Sequence, residues 1–197
     1  TTTGDYKDAV QFGLQSIRFG TRALNQPILW IPFGSMAEAH MLAGDRTAAT
    51  ECLERARELV RTNPSWSANV QLLCAAAAVA LVTGNVDLAL ALIGAAEDGA
   101  CGKEQFVPSP GVFEKLRIFR VAHISGPAVA LELADAAKAM FRGRHPLHYL
   151  SVLAATAWVE KRAFGTPRAG TARELEAFDT PALAGWRAWE TAEGFLS

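Results

Sequence analysis

The stretch LAGDRTAATECLERARELVRTNP, Leu42 to Pro64, carries the start and stop signals of one helix within itself. Gly44 lacks a Cβ and suits the left-handed position that closes an incoming helix, and Asp45 can cap the helix that follows. From there Ala48, Ala49, Cys52, Leu53, Ala56, Leu59 and Val60 recur at spacings of three and four, with Arg46, Glu51, Glu54, Arg55, Arg57 and Glu58 on the other face. Asn63-Pro64 ends it, because a residue before proline is pushed out of the helical region while proline favours the first turn of a new helix. The apolar stripe has to bury against a neighbour.

The same punctuation recurs along the chain. Gly4-Asp5, Gly44-Asp45 and Gly84-Asn85 follow one another at a period of forty, and Ser125-Gly126 and Gly165-Thr166 continue the series at nearly that interval. Ala9, Ala49, Ala89 and Ala130 occupy one place in the unit, and Ser16, Ala56, Ala96 and Ala137 a second place seven residues later. Small residues two turns apart on one helical face let a neighbouring helix approach closely. Pro27, Pro64, Pro110, Pro146 and Pro181 each open an apolar stretch that ends at the next glycine or at the last residue, so each unit reads as a helix pair. Helices are expected near 5–22, 27–43, 45–62, 65–83, 85–97, 110–124, 127–142, 146–164, 170–179 and 181–196, and no segment alternates with period two. The fold expected is all-α: a right-handed α-solenoid of about five helix-turn-helix repeats, forming one domain over residues 1–197. Because its first helix is of the second type in the pair, the chain is expected to be a fragment of a longer protein. Phe12, Leu14, Ile17 and Phe19 should then leave an apolar end able to support a homodimer.

A small residue in each first helix (Ala37, Ala77), glycine at the turn and alanines in the second helix (Ala49 and Ala56, Ala89 and Ala96) resemble the tetratricopeptide repeat. The period is near forty rather than thirty-four, and His40 or Ala80 stands where that repeat has an aromatic. Such long units resemble the helical-repeat regions of large bacterial signalling ATPases and LuxR-type transcriptional activators, which LALALIGAAED (Leu88 to Asp98) also echoes. The resemblance implies that the first helix of each pair lines a concave surface. Counting back from the turn glycines puts Glu38, Gln71, Arg120, His123 and Arg162 near it as candidate partner-binding residues, with a merely solvated charged face as the equal alternative.

Composition limits the function. At 197 residues and 50% hydrophobic content the chain can bury a substantial core. A net charge of −1 gives no bulk attraction to nucleic acid or an anionic membrane, so neither is expected as a partner. The longest apolar run, Leu72 to Val82, is far short of the ~20 residues of a membrane span. Cys52, Cys74 and Cys101 form neither a disulfide framework nor a zinc motif, which favours a reducing cytoplasm.

No P-loop, dinucleotide fingerprint, HExxH or GxSxG is present, and no cofactor is expected. PFGSMAE around Ser35 lacks the second glycine of a nucleophile turn and reads as helix interior. His145 and His148 have a spacing compatible with one metal but no third ligand, so capping or a surface role is preferred. Of the tryptophans Trp30, Trp66, Trp158, Trp186 and Trp189, most are expected in the core, with Trp30 and Trp66 the candidates for a groove. Glu97 to Gly111 is the one long irregular connection and a second candidate for partner contact. These features favour a non-catalytic helical-repeat module that binds a protein segment or small effector within a larger regulator. A stand-alone scaffold or adaptor, and an enzyme with its site in the concave groove, are the alternatives.

Overall fold

A computed structural model of the chain describes residues 3–22, 29–107 and 109–178, without the side chains of 3–9, 38, 41, 42 and 105. The expected helix at 181–196, with Trp186 and Trp189, lies outside the described residues. Those described form helices and turns with no strand, and the helices fall where the glycine and proline signals put them. The chain divides into two compact units, Thr1–Lys103 and Glu104–Ser197, with the division inside the long connection noted in the sequence.

The first unit holds α1 (Thr3–Arg22), α2 (Trp30–Leu42), α3 (Arg46–Thr62), α4 (Trp66–Val82) and α5 (Val86–Ala100). α2 packs on α3 and α4 on α5, which are the expected pairs, and the two first helices α2 and α4 pack on each other. The second unit opens with a short 3₁₀ turn, Glu104–Phe106, followed by α6 (Pro110–Ile124), α7 (Pro127–Phe141), α8 (Pro146–Phe164) and α9 (Ala169–Glu176). Here too α6 packs on α7, α8 on α9, and α6 on α8. The all-α helical-repeat fold is therefore present in both units.

The period of forty is visible in atomic detail at two turns. Gly44 and Gly84 take φ of 84° and 76°. The N–H groups of Asp45 and Asn85 each donate to the carbonyl five residues back, those of His40 and Ala80, both at 2.8 Å. The same two side chains then accept from Ala48 N (3.0 Å) and Leu88 N (3.2 Å) at the start of the following helix. One Gly-Asp or Gly-Asn pair thus satisfies the end of one helix and the beginning of the next. Later turns are built differently: Gly126 has φ 90° and ψ 166° and is itself the residue before α7, and Gly165 is left-handed with Thr166-Pro167 intervening before α9. Gly4 does not close a turn at all. It lies in the first turn of α1, with no incoming helix among the described residues for it to terminate.

Ala37, Ala49, Ala56, Ala77, Ala89, Ala96, Ala130 and Ala137 are all buried, as close helix approach requires. Two first helices, α4 and α8, are buried all round rather than along a stripe: Cys74 to Ala80 and Tyr149 to Glu160 are continuous buried runs. That is why these segments read as apolar throughout instead of amphipathic. Glu160, buried at the end of that run, is satisfied by Arg168 N at 2.8 Å and Thr171 Oγ1 at 3.1 Å, which ties α9 to α8. α5 extends to Ala100, beyond the expected end at 97, because Gly102 (φ 73°) rather than Gly99 provides the left-handed stop.

Candidate functional site

The first helices of the second unit both begin with proline at the first turn, after Ser109 in α6 and after His145 in α8. They approach tightly near that end: a Cβ placed on Gly111 would fall 2.4 Å from His148 Cα. At their other ends the side chains of His123 and Arg162 meet. His123 Nε2 lies 3.3 Å from an Arg162 guanidinium nitrogen, and His123 Nδ1 lies 3.0 Å from the carbonyl oxygen of Phe119 one turn back. A carbonyl can only accept and a guanidinium can only donate. The ring is therefore assigned as the neutral tautomer with its proton on Nδ1 and its lone pair toward Arg162.

Two buried aromatics support this pair. The His123 ring stacks on Trp158 with centroids 5.5 Å apart and planes at 21°, and contacts Phe119 at 4.2 Å. Phe119 and Trp158 touch each other at 4.9 Å. The guanidinium of Arg162 stands 5.5 Å from the Trp158 ring centre, within reach of its π face. Arg162 itself is exposed. An exposed guanidinium held over an indole and against an imidazole keeps further N–H groups for a ligand and presents them with restricted freedom, which suits planar oxyanions such as carboxylates.

Of the five residues singled out in the sequence, the structure brings together His123 and Arg162. Arg120 lies on α6 one turn before His123 and is half-buried. Gln71 is a half-buried residue of α4, and Glu38 belongs to α2 with its side chain outside the described residues; both are in the first unit. The sequence reading did not single out Phe119, and it assigned Trp158 to the core. Core residues they are, yet they form the backing of the exposed arginine. A signal existed: Phe119 and His123 stand in α6 at the same four-residue spacing as Trp158 and Arg162 in α8, each pair ending three residues before its turn glycine.

The remaining candidates resolve into structural contacts. Ser35 is exposed within α2. Trp30 is buried, while Trp66 is half-buried with Lys103 Nζ 5.4 Å from its ring centre. His145 and His148 have ring centroids 5.6 Å apart and both contact Phe141 edge-on. Burial, then the neighbouring His145, lowers the pKa of His148 from the ordinary histidine value. Among the described residues no group of three or more His, Cys, Asp or Glu side chains is arranged to hold a metal, and no helix is long and apolar enough to cross a membrane. Arg142 and Tyr149 both hydrogen-bond Glu174, the arginine at 2.6 Å, joining the end of α7 and the start of α8 to α9. In the connection between the units, Phe106 is exposed and Val107 buried.

Compared with known proteins, the chain matches no family model, no curated protein and no solved structure.

Proposed function

We propose that the chain is a non-catalytic helical-repeat module that binds an acidic protein segment or a carboxylate-bearing effector on the α6 and α8 side of its second unit. The observation that carries this reading is the placement of Arg162 over Trp158 and beside the neutral His123: a cation whose partners among the described residues are aromatic and uncharged keeps its charge available. Arg120 on the same helix as His123 is the second cation of this surface. The tetratricopeptide-like units, and their likeness to the repeat regions of LuxR-type activators and signalling ATPases, support a place in a larger bacterial regulator in the cytoplasm. Gln71 and Glu38 would contact polar or basic parts of a partner on the first unit.

Selection of peptides from a random display library against the full chain tests the proposal. Enrichment of Asp, Glu or a free terminal carboxylate, lost when the selection is repeated on Arg162→Glu, is the expected outcome. Enrichment of purely basic or apolar peptides that bind both chains equally would overturn it.

A further inference from the structure

α1 presents two stripes. Val10, Gly13, Ile17 and Gly20 turn toward the rest of the first unit, where Val10 and Ile17 pack on the cluster that contains Met36, and a Cβ on Gly13 would meet the Met36 side chain at 2.4 Å. Ile17, which the sequence groups with the open apolar residues, therefore belongs to the packed side. The other stripe, Phe12, Ser16 and Phe19, faces solvent: the two phenylalanines are each 68% exposed, and Ser16 is exposed as well. In helical register, Asp8 stands one turn before Phe12, Gln15 between the two rings, and Arg22 one turn after Phe19. All fall with the stripe within about 120° of arc. One helix face thus reads acid, ring, small polar centre, ring, base.

We infer that this face is the contact of a two-fold homodimer in which α1 of one copy lies antiparallel on α1 of a second. The face is its own complement. A two-fold axis between Gln15 and Ser16 brings Phe12 of each copy level with Phe19 of the other and places the small Ser16 where the helices cross, so they can approach closely. The same axis sets Asp8 of each copy within one residue's rise of Arg22 of the other, so opposite charges meet at both ends. A parallel arrangement would set Asp8 on Asp8 and Arg22 on Arg22, and this repulsion selects the antiparallel one. The four rings alone would withdraw roughly 500 Å² from water, about half of what a specific interface requires. The stems of Gln15 and Arg22 on both copies lie beside the rings and add to that area, which fits a weak, reversible dimer. This surface lies on the first unit and is independent of the proposed carboxylate site on the second.

Sedimentation equilibrium of the 197-residue chain tests the inference. The expected result is a monomer–dimer equilibrium that Phe12→Glu/Phe19→Glu abolishes while helical content and the unfolding midpoint of the dilute chain stay as in the parent. Asp8→Arg and Arg22→Asp should each weaken self-association by about tenfold, since each turns both end pairs into repulsions. An equimolar mixture of these two variants should regain the parent's affinity, because the mixed dimer pairs opposite charges at both ends. A chain that stays monomeric up to about 1 mM would overturn the inference, as would a dimer that survives Phe12→Glu/Phe19→Glu. Charge variants whose mixture associates no better than either alone would overturn the antiparallel arrangement.

Discussion

His123 and Arg162 stand 39 residues apart in the chain and share a hydrogen bond of 3.3 Å between equivalent places of consecutive first helices. The imidazole acts there as an acceptor that fixes an arginine, not as a charge. His123→Phe should keep the stack on Trp158 and remove the acceptor. The expected result is a nearly unchanged unfolding midpoint with affinity for an acidic peptide reduced about three- to tenfold, the worth of one ordinary hydrogen bond. Titration calorimetry with a display-selected peptide measures it; an unchanged affinity would remove His123 from the site.

Gly111 and Gly34 offer a matched pair of tests of how first helices pack on one another. A Cβ on Gly111 would meet backbone, the Cα of His148 at 2.4 Å, whereas a Cβ on Gly34 would meet only the Cβ of Ala75 at 3.7 Å. Gly111→Ala should therefore destabilise by about 1–3 kcal/mol through forced separation of α6 and α8. Gly34→Ala should be neutral or gain up to about 1 kcal/mol from helix propensity. Denaturant midpoints in the opposite order would show that the two helix contacts have been assigned wrongly.

The shared caps predict parallel losses. Asp45→Ala and Asn85→Ala each remove one side-chain acceptor from a helix start, so each should cost about 1 kcal/mol. At Gly44 and Gly84, where φ is positive, alanine should cost a further ~1 kcal/mol or more through backbone strain, although neither site is crowded. Chemical denaturation of the four variants checks the forty-residue register: unequal losses at the two turns would mean that only one of them serves as a double cap.

Helix positions were readable because this chain writes its helix ends in glycine, proline and short polar caps, whose effects are local. Expected and observed bounds differ by three residues or fewer over 30–176, the largest discrepancies lying at the start of α2 and the end of α9, where the helix is shorter than expected, and at the end of α5, where it is longer. Gly4 misled because glycine shows its left-handed preference only where a helix must stop. Burial around the whole circumference was not readable in advance for α8, whose Glu160 looks like a surface residue until Arg168 N and Thr171 are seen to satisfy it. At the candidate site the charges could be named by counting back from the turns. The aromatic support was written only as the four-residue spacing shared by Phe119–His123 and Trp158–Arg162, a spacing that does not by itself say that the face of a core tryptophan will carry the arginine.

His148 supplies the pH dependence. Burial and the nearby His145 lower its pKa from 6.5, so the unfolded chain takes up a proton more readily than the folded one. The contribution to stability is present above the unfolded value and is lost as pH falls below it toward the folded value. Glu174, lowered from 4.5 chiefly by its hydrogen bond to Tyr149, adds a second loss at more acid pH, above its folded value and below that of the unfolded carboxyl. His148→Gln should flatten the first part of the decline and Glu174→Gln the second. Thermal midpoints recorded from pH 8 down to about pH 3, a span chosen to bracket the ordinary histidine and glutamate values, check both; a decline unchanged in either variant would remove that residue from the account.

Charge reversal at the α6 and α8 surface tests the central claim most directly. The affinity of the full chain for a display-selected acidic peptide is compared with that of Arg120→Glu/Arg162→Glu, with Arg57→Glu on α3 as the control. The account predicts at least about a hundredfold loss in the double variant, since two charge-assisted contacts become repulsions, with helical content kept and Arg57→Glu binding as the parent chain does. Equal affinity of all three chains would contradict it.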